Sequence, residues 1–224
     1  MPGKRIIALL LVPLAVLAGA LPALRAETSV FLSGGHSYET RLAALEARDI
    51  VTGWTSNTRD RVLGQCFNLM IDPRFAAEGF ATRQMVSSSC LAHSADARAQ
   101  TPHDAFALTL DALVAARLGL PGNALNSLDR ARAAAPYELW LASRRVVVGE
   151  MALGAMTSEQ RESHMDDLRL MLSYRSGIAA LAPLYLDEAP IRTRILEAVE
   201  TLPESEQRQF LSVVRRTAFE RSET

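Results

Sequence analysis

A repeat of 34 residues near the middle of the chain constrains its fold more than any other feature. Pro102 and Pro136 are 34 residues apart, and small residues recur at that offset in two positions before them, with Ser94 aligned to the bulkier Leu128 between those positions. Small side chains let neighbouring helices approach closely, and a proline ends a helix because it cannot continue the hydrogen-bond ladder. The repeat therefore predicts stacked pairs of antiparallel helices. The repeated positions are Cys90, Ser94 and Ala97 in the first copy and Ala124, Leu128 and Ala131 in the second.

The composition and the apolar pattern predict an all-α fold. Ala and Leu are abundant and aromatic residues make up 6% of the chain, a balance that favours close-packed helices over a sheet. Apolar residues recur with helical spacing from Tyr38 onward, interrupted at residues 52–57 and at Gly119. We expect about eight or nine helices and no strand.

Polar residues beside prolines predict where helices begin. Asp72 before Pro73, and Thr101 before Pro102, are each expected to cap a helix with proline at its first position. Thr157, with Gln160 three residues later, forms a capping box. The helix that follows Thr101 is expected to turn back at Gly119 and to form a helical hairpin that ends at Pro136.

These features resemble the tetratricopeptide-repeat family. The match covers about residues 86–136 and is best over residues 119–136. The resemblance implies a short α-solenoid of tetratricopeptide-like helix pairs over about residues 58–153, with a helical C-terminal cap; a generic helical bundle is the alternative. The first-helix signature departs from the family, because its Trp, Leu-Gly and Tyr positions hold Leu108, Asp111, Ala112 and Ala115.

A second, weaker resemblance concerns residues 135–145, which read APYELWLASRR. This segment is similar to a Pro-x-x-x-Trp-x-Ala-x-Arg-Arg segment in uncharacterised exported helical proteins of alphaproteobacteria. Some of those proteins are associated with envelope polysaccharide production. The resemblance implies no catalytic residues.

The N-terminal residues predict export from the cytoplasm. Lys4 and Arg5 precede an apolar run over residues 6–24 that ends in small residues, which is the pattern of a secretory signal. We expect a signal peptide over residues 1–26, cleaved after Ala26, with Ala20 and Ala23 as alternative positions. An uncleaved anchor in the inner membrane is the other interpretation, since a run of about 19 residues is near the lower limit for spanning a bilayer.

Beyond the signal we expect a flexible lead-in over residues 27–37, rich in Ser and Gly, and then a single helical domain over residues 38–224. Both interpretations of the signal place this domain in the periplasm. Removing residues 1–26 leaves 21 basic and 25 acidic residues. The net charge of −4 argues against a nucleic-acid partner and against an anionic lipid surface.

Cys66 and Cys90 are the only two cysteines. An even pair in an oxidising compartment predicts a structural disulfide, worth about 3 kcal/mol in the chain-entropy model. Free thiols and a redox-active pair are the alternatives. The spacing is not Cys-x-x-Cys, and no His lies at an offset typical of a metal site.

The sequence predicts no catalytic, cofactor-binding or metal-binding residue. The chain has no Gly-x-Ser-x-Gly motif, and Lys4 is its only lysine, so a Ser-x-x-Lys pair is absent from the sequence. The four histidines are scattered. His164 forms a local cluster with Asp166 and Asp167, which we expect to lie on a solvated helix face; a metal or acid–base site is the alternative.

Three residues are candidates for a binding surface. Trp54 lies in a polar loop, where exposure is expected, and tryptophan is enriched in binding hot spots. Arg144 and Arg145 could bind an acidic group; pairing between helices with Glu138 or Glu150 is the alternative. The second tryptophan, Trp140, is expected in the core beside Leu139 and Leu141.

These observations favour a periplasmic interaction or assembly module over an enzyme. The expected partner is another envelope protein, and the pathway suggested by the resemblance is envelope or polysaccharide assembly. Two alternatives stay open: an enzyme that acts on an envelope glycan, and a structural protein anchored in the inner membrane.

Overall fold

The computed structural model describes residues 18–25, 27–29, 31, 37–47, 50–187 and 189–222. Within these residues the ordered elements are helices and there is no strand, which confirms the predicted all-α fold. Most of the predicted signal, including Ala26, lies outside the described residues, as do residues 32–36 of the predicted lead-in. In the described part of the chain, no helix is long and apolar enough to cross a membrane.

The chain divides into two compact units, residues 1–102 and residues 103–224. In the first unit, residues 18–25 and 27–29 are helical, and four helices with defined bounds follow: α1 (Tyr38–Glu46), α2 (Ser56–Ile71), α3 (Pro73–Ala77) and α4 (Phe80–Gln100). Those of the second are α5 (Ala105–Arg117), α6 (Pro121–Ala134), α7 (Leu139–Ala152), α8 (Ser158–Leu172), α9 (Arg175–Asp187), α10 (Ala189–Glu200) and α11 (Glu204–Ser222). The predicted single domain and the predicted repeat core of residues 58–153 both cross this division and stay predictions.

In the first unit, α4 packs against α1 and α2. As predicted, Asp72 caps α3, with Pro73 at the first helical position. A disulfide joins Cys66 on α2 to Cys90 on α4 with the two Cα atoms 5.7 Å apart, which confirms the predicted bridge. Both cysteines are fully buried in the apolar core. The bridge therefore ties the two longest helices of this unit together.

The second unit opens with the predicted helical hairpin, α5 and α6. Gly119 lies in the turn with a φ of 72°, a left-handed conformation that glycine adopts without strain. The prediction that Thr101 caps the first helix is wrong, because Asp104 does so. Its Oδ1 atom accepts from the N–H groups of Phe106 and Ala107 at 3.0 and 2.9 Å. A carboxylate with two such bonds also interacts favourably with the helix dipole.

The repeated residues are buried in both copies, but the two copies differ in structure. Ala124, Leu128 and Ala131 lie on the buried side of α6, the second helix of the hairpin. Cys90, Ser94 and Ala97 lie on the buried side of α4, which is 21 residues long and is preceded by the five-residue α3. The first copy is therefore not a second hairpin of the same proportions.

The remaining helices build the larger core of the second unit. The predicted capping box at the start of α8 is present, since Thr157 and Gln160 each bond the other's backbone N–H. α8, α9, α10 and α11 pack around a continuous apolar cluster. Its fully buried members include Leu168, Ile178, Leu181, Ile195 and Phe210.

Candidate functional site: a polar cleft above buried ion pairs

Arg145 and Asp167 form an ion pair inside the second unit. Arg145, on α7, is fully buried, and its Nη2 atom donates to Asp167 Oδ1 at 2.6 Å. Its Nε atom bonds both carboxylate oxygens at 3.1 Å, and its Nη1 atom donates to the carbonyl of Ala135 at 3.0 Å. Arg145 is therefore not part of an exposed binding surface. It pairs between helices, as the alternative proposed, but with Asp167 rather than Glu138 or Glu150.

Arg132 on α6 completes this pair as a triad. Its Nη2 atom donates to Asp167 Oδ2 at 2.6 Å, so each oxygen of the buried carboxylate faces a guanidinium. Burying a charge is costly unless it is paired and hydrogen-bonded, and here the pairing comes from two helices at once. The triad therefore fixes α6, α7 and α8 relative to each other.

A second, half-buried polar cluster lies around Glu150 on α7. His164 Nε2 is 2.8 Å from Glu150 Oε1, and Arg194 on α10 donates to both carboxylate oxygens, with its Nε atom 2.9 Å from Oε1. Burial alone would raise the pKa of Glu150, but the hydrogen bonds and charges of His164 and Arg194 lower it below its usual value. A carboxyl group held ionised in this way is a poor proton donor at neutral pH.

His164 and Asp167 are buried, so the prediction of a solvated helix face is wrong for both. They lie three residues apart and therefore on one side of α8, which points inward. Gly149 on α7 makes room for the imidazole, because a Cβ atom there would lie 2.6 Å from His164 Nδ1. A glycine within an apolar helix was a sequence signal for this close approach.

An open cleft of about 630 Å³, lined mostly by polar residue types, lies beside Arg132. Arg132 belongs to both features, since it lines the cleft and pairs with Asp167. Gln160 Nε2 donates to Asp129 Oδ2 at 2.8 Å and so connects the two sides of the cleft. The other lining residues are Ala133, Pro136, Thr157, Glu159 and Ser163. Hydroxyl, amide, carboxylate and guanidinium groups together suit a polar ligand without high charge.

An aromatic stack lies on α5 and α7. The rings of Phe106 and Trp140 meet edge to face with centroids 5.2 Å apart, and the Arg144 guanidinium lies 4.9 Å and 5.1 Å from them. The predicted burial of Trp140 is wrong, since 40% of the residue is exposed. Arg144 also donates to the Trp140 carbonyl at 2.8 Å, so it stiffens the stack. Beside the stack in sequence, Tyr137 is 85% exposed.

Trp54 belongs to the first unit and is 69% exposed, as expected. It is followed by Thr55, the residue that caps α2. Nearby in sequence, Thr52 bonds the buried His93 at 2.8 Å between Oγ1 and Nδ1, and burial lowers the pKa of His93. The segment that carries Trp54 is therefore tied to the body of this unit while its indole ring faces solvent.

No protein-family model matches the chain, and no curated protein or solved structure matches it either. The tetratricopeptide resemblance therefore rests on residues of this chain alone. Among the described residues, no group of three His, Cys, Asp or Glu side chains could hold a metal ion.

Proposed function

We propose that the chain is an exported envelope protein with tetratricopeptide-like helix pairs, and that it binds another protein through a surface that includes Trp54. The observation that carries this proposal is the 69% exposure of Trp54 on a segment anchored to a disulfide-linked unit. Tryptophan side chains supply a large share of binding energy at protein interfaces. A rigid segment loses little conformational freedom on binding, so its contacts convert more fully into affinity.

The proposed compartment is supported by two independent features. The sequence begins with a basic and then apolar segment typical of a secretory signal. The buried bridge between Cys66 and Cys90 is of the kind that forms and persists in oxidising compartments. Together they favour a periplasmic location.

The electrostatics of the buried Asp167 and the half-buried Glu150 favour binding over catalysis. Asp167 faces two guanidinium groups, and the pKa of Glu150 is lowered. A general acid at neutral pH needs a raised pKa, and a general base needs an accessible lone pair near a substrate. We therefore propose that Asp167 and Glu150 stabilise the fold and take no part in catalysis.

The proposal is tested by recovering partners of the full chain from its own cells after chemical cross-linking. We expect one discrete envelope protein, and we expect Trp54→Ala to lower its recovery about tenfold, the effect of losing about 1.4 kcal/mol at an interface hot spot. Phe219→Ala is the matched control, because Phe219 is also an exposed aromatic residue but lies on α11. Equal recovery with both variants would contradict the proposal.

A second candidate function is action on an envelope glycan, and the polar cleft is the observation that favours it. Asp129, Gln160 and Ser163 present the planar and hydroxyl groups that hydrogen-bond sugar hydroxyls. The test is calorimetry of the full chain with neutral envelope oligosaccharides, together with an assay for released reducing ends. Binding that Asp129→Asn weakens about tenfold would support this candidate. Absence of both binding and hydrolysis would remove it.

A further inference from the structure

Glu27 is bound at the start of α2 by four donors. Its Oε1 atom accepts from the backbone N–H groups of Trp54 and Thr55 at 2.6 and 3.0 Å. Its Oε2 atom accepts from the hydroxyl groups of Thr55 and Thr58 at 2.7 and 2.6 Å. Both carboxylate oxygens are therefore satisfied by a helix N-terminus, where negative charge is favoured.

Neighbouring contacts extend this attachment. The hydroxyl of Ser29 accepts from the N–H of Val51 at 3.2 Å and donates to its carbonyl at 3.4 Å. Gly53 leaves space for the attachment, since a Cβ atom there would lie 2.5 Å from Thr58 Cγ2 and 3.1 Å from Glu27 Oε1. Two residues of the predicted lead-in, Glu27 and Ser29, thus bond residues 51–58 of the first unit.

The residues just before Glu27 differ from it. Leu21 and Leu24 belong to the predicted apolar run and are exposed on a helical segment. Among the described residues of this segment, Leu21 and Leu24 are thus exposed, whereas Glu27 and Ser29 bond residues 51–58. Every cleavage position that the sequence allows, after Ala20, Ala23 or Ala26, leaves Glu27 in the mature chain.

We propose that N-terminal processing stops upstream of Glu27, and that the Glu27 carboxylate then fastens the new end of the chain to α2. This inference rests on the proposed export of the chain. A signal peptidase would use water to hydrolyse one peptide bond, which leaves a carboxylate on the released signal and an ammonium group on the mature chain. A free ammonium near a helix N-terminus is unfavourable, and the Glu27 carboxylate lies where it offsets that charge.

The carboxylate also has the right ionisation for this role. Hydrogen bonds from the hydroxyls of Thr58 and Thr55, followed by backbone bonds, lower the pKa of Glu27 to about 2. It therefore stays charged, and able to accept all four bonds, across the pH range of the bacterial envelope.

The experiment uses the full chain expressed in its own cells and purified from the envelope, as wild type and as Glu27→Ala and Glu27→Gln. Mass spectrometry gives the mature N-terminus, and amide hydrogen exchange at Trp54 and Thr55 reports the attachment. We expect a mature N-terminus at residue 21, 24 or 27, exchange at both amides at least about tenfold faster in Glu27→Ala, and an intermediate rate in Glu27→Gln. An envelope chain that still begins at residue 1 would overturn the inference. Glu46→Gln, an exposed residue of α1, is the control and should leave both rates unchanged.

Different results would overturn the inference about Glu27 and the proposed export. A mature chain that begins after residue 27, or exchange rates at Trp54 and Thr55 that Glu27→Ala does not change, would overturn the inference. Unprocessed protein confined to the cytoplasm would instead overturn the proposed export, and the exchange rates would still test the attachment in that material.

Discussion

Arg145 Nη2 lies 2.6 Å from Asp167 Oδ1, and this contact joins α7 to α8 where both side chains are buried. The substitution Asp167→Asn removes the charge of this side chain but keeps its size. Two guanidinium groups would then face a neutral amide, so we expect a loss of about 3–5 kcal/mol in the free energy of unfolding, measured by urea denaturation.

A matched control and a double variant make this prediction specific. Asp166→Asn alters the adjacent exposed carboxylate, which pairs with Arg169, and should cost less than about 1 kcal/mol. Asp167→Leu combined with Arg145→Met removes both buried charges and should recover most of the loss. Equal effects of Asp167→Asn and Asp166→Asn would show that the triad contributes little.

The space beside Gly149 gives a second prediction. In Gly149→Ala the new methyl group would lie 2.6 Å from His164 Nδ1, and the ring cannot move away without breaking its bond to Glu150. We expect a loss of about 1–3 kcal/mol in thermal or urea unfolding. Gly154→Ala is the control, since no atom lies within 4 Å of its Cβ position. A Gly149→Ala variant that is as stable as the wild type would mean that His164 is not held against α7.

The lowered pKa of Glu150 predicts acid sensitivity. Its folded pKa lies below the ordinary value of 4.5, so the unfolded chain binds the proton more readily. The stabilisation is therefore present above about pH 4.5 and is lost as the pH falls through the folded pKa. We expect Glu150→Gln to be less stable than the wild type at pH 7. The difference between the two in the free energy of unfolding, measured with urea, should be smaller at pH 3.

The control for this pH experiment is Glu162→Gln, which alters an exposed carboxylate of the same unit. Its stability relative to wild type should change little between the two pH values. A deficit of Glu150→Gln that is the same at pH 7 and pH 3 would contradict the assignment of this acid sensitivity to Glu150.

The disulfide gives a prediction for the first unit. It closes a loop with a sequence separation of 24, for which the chain-entropy model gives about 3 kcal/mol. We expect Cys66→Ala with Cys90→Ala to lose about that amount. Reductant should lower the unfolding temperature of the wild type but not of the double variant. Protein from the envelope that carries two free thiols would contradict the proposed compartment.

Local patterns predicted much of the fold. The hairpin followed from Gly119 and Pro136, and the start of α8 followed from Thr157 and Gln160, because each depends on residues close in sequence. The bridge between Cys66 and Cys90 followed from the count of cysteines and the expected compartment.

Contacts between distant residues explain what sequence reasoning missed. Arg145 and Asp167 are 22 residues apart, and charged residues on helices are usually solvated, so their burial had no local signal. Glu27 bonds Thr58, which lies 31 residues later in the chain, and no helical periodicity brings residues at that separation together. Trp54 was correctly expected in an exposed loop, but its attachment to Glu27 depends on the fold.

Photo-cross-linking within the cell envelope gives the decisive test of the proposed interaction. A photo-reactive phenylalanine analogue replaces Asn57, an exposed residue three positions after Trp54, so that Trp54 itself is kept. The same analogue replaces the exposed Glu204 on α11 as the control. An interaction module predicts one discrete adduct with an envelope protein from position 57 and none from position 204. No adduct at position 57, or the same pattern of adducts from both positions, would contradict the proposal.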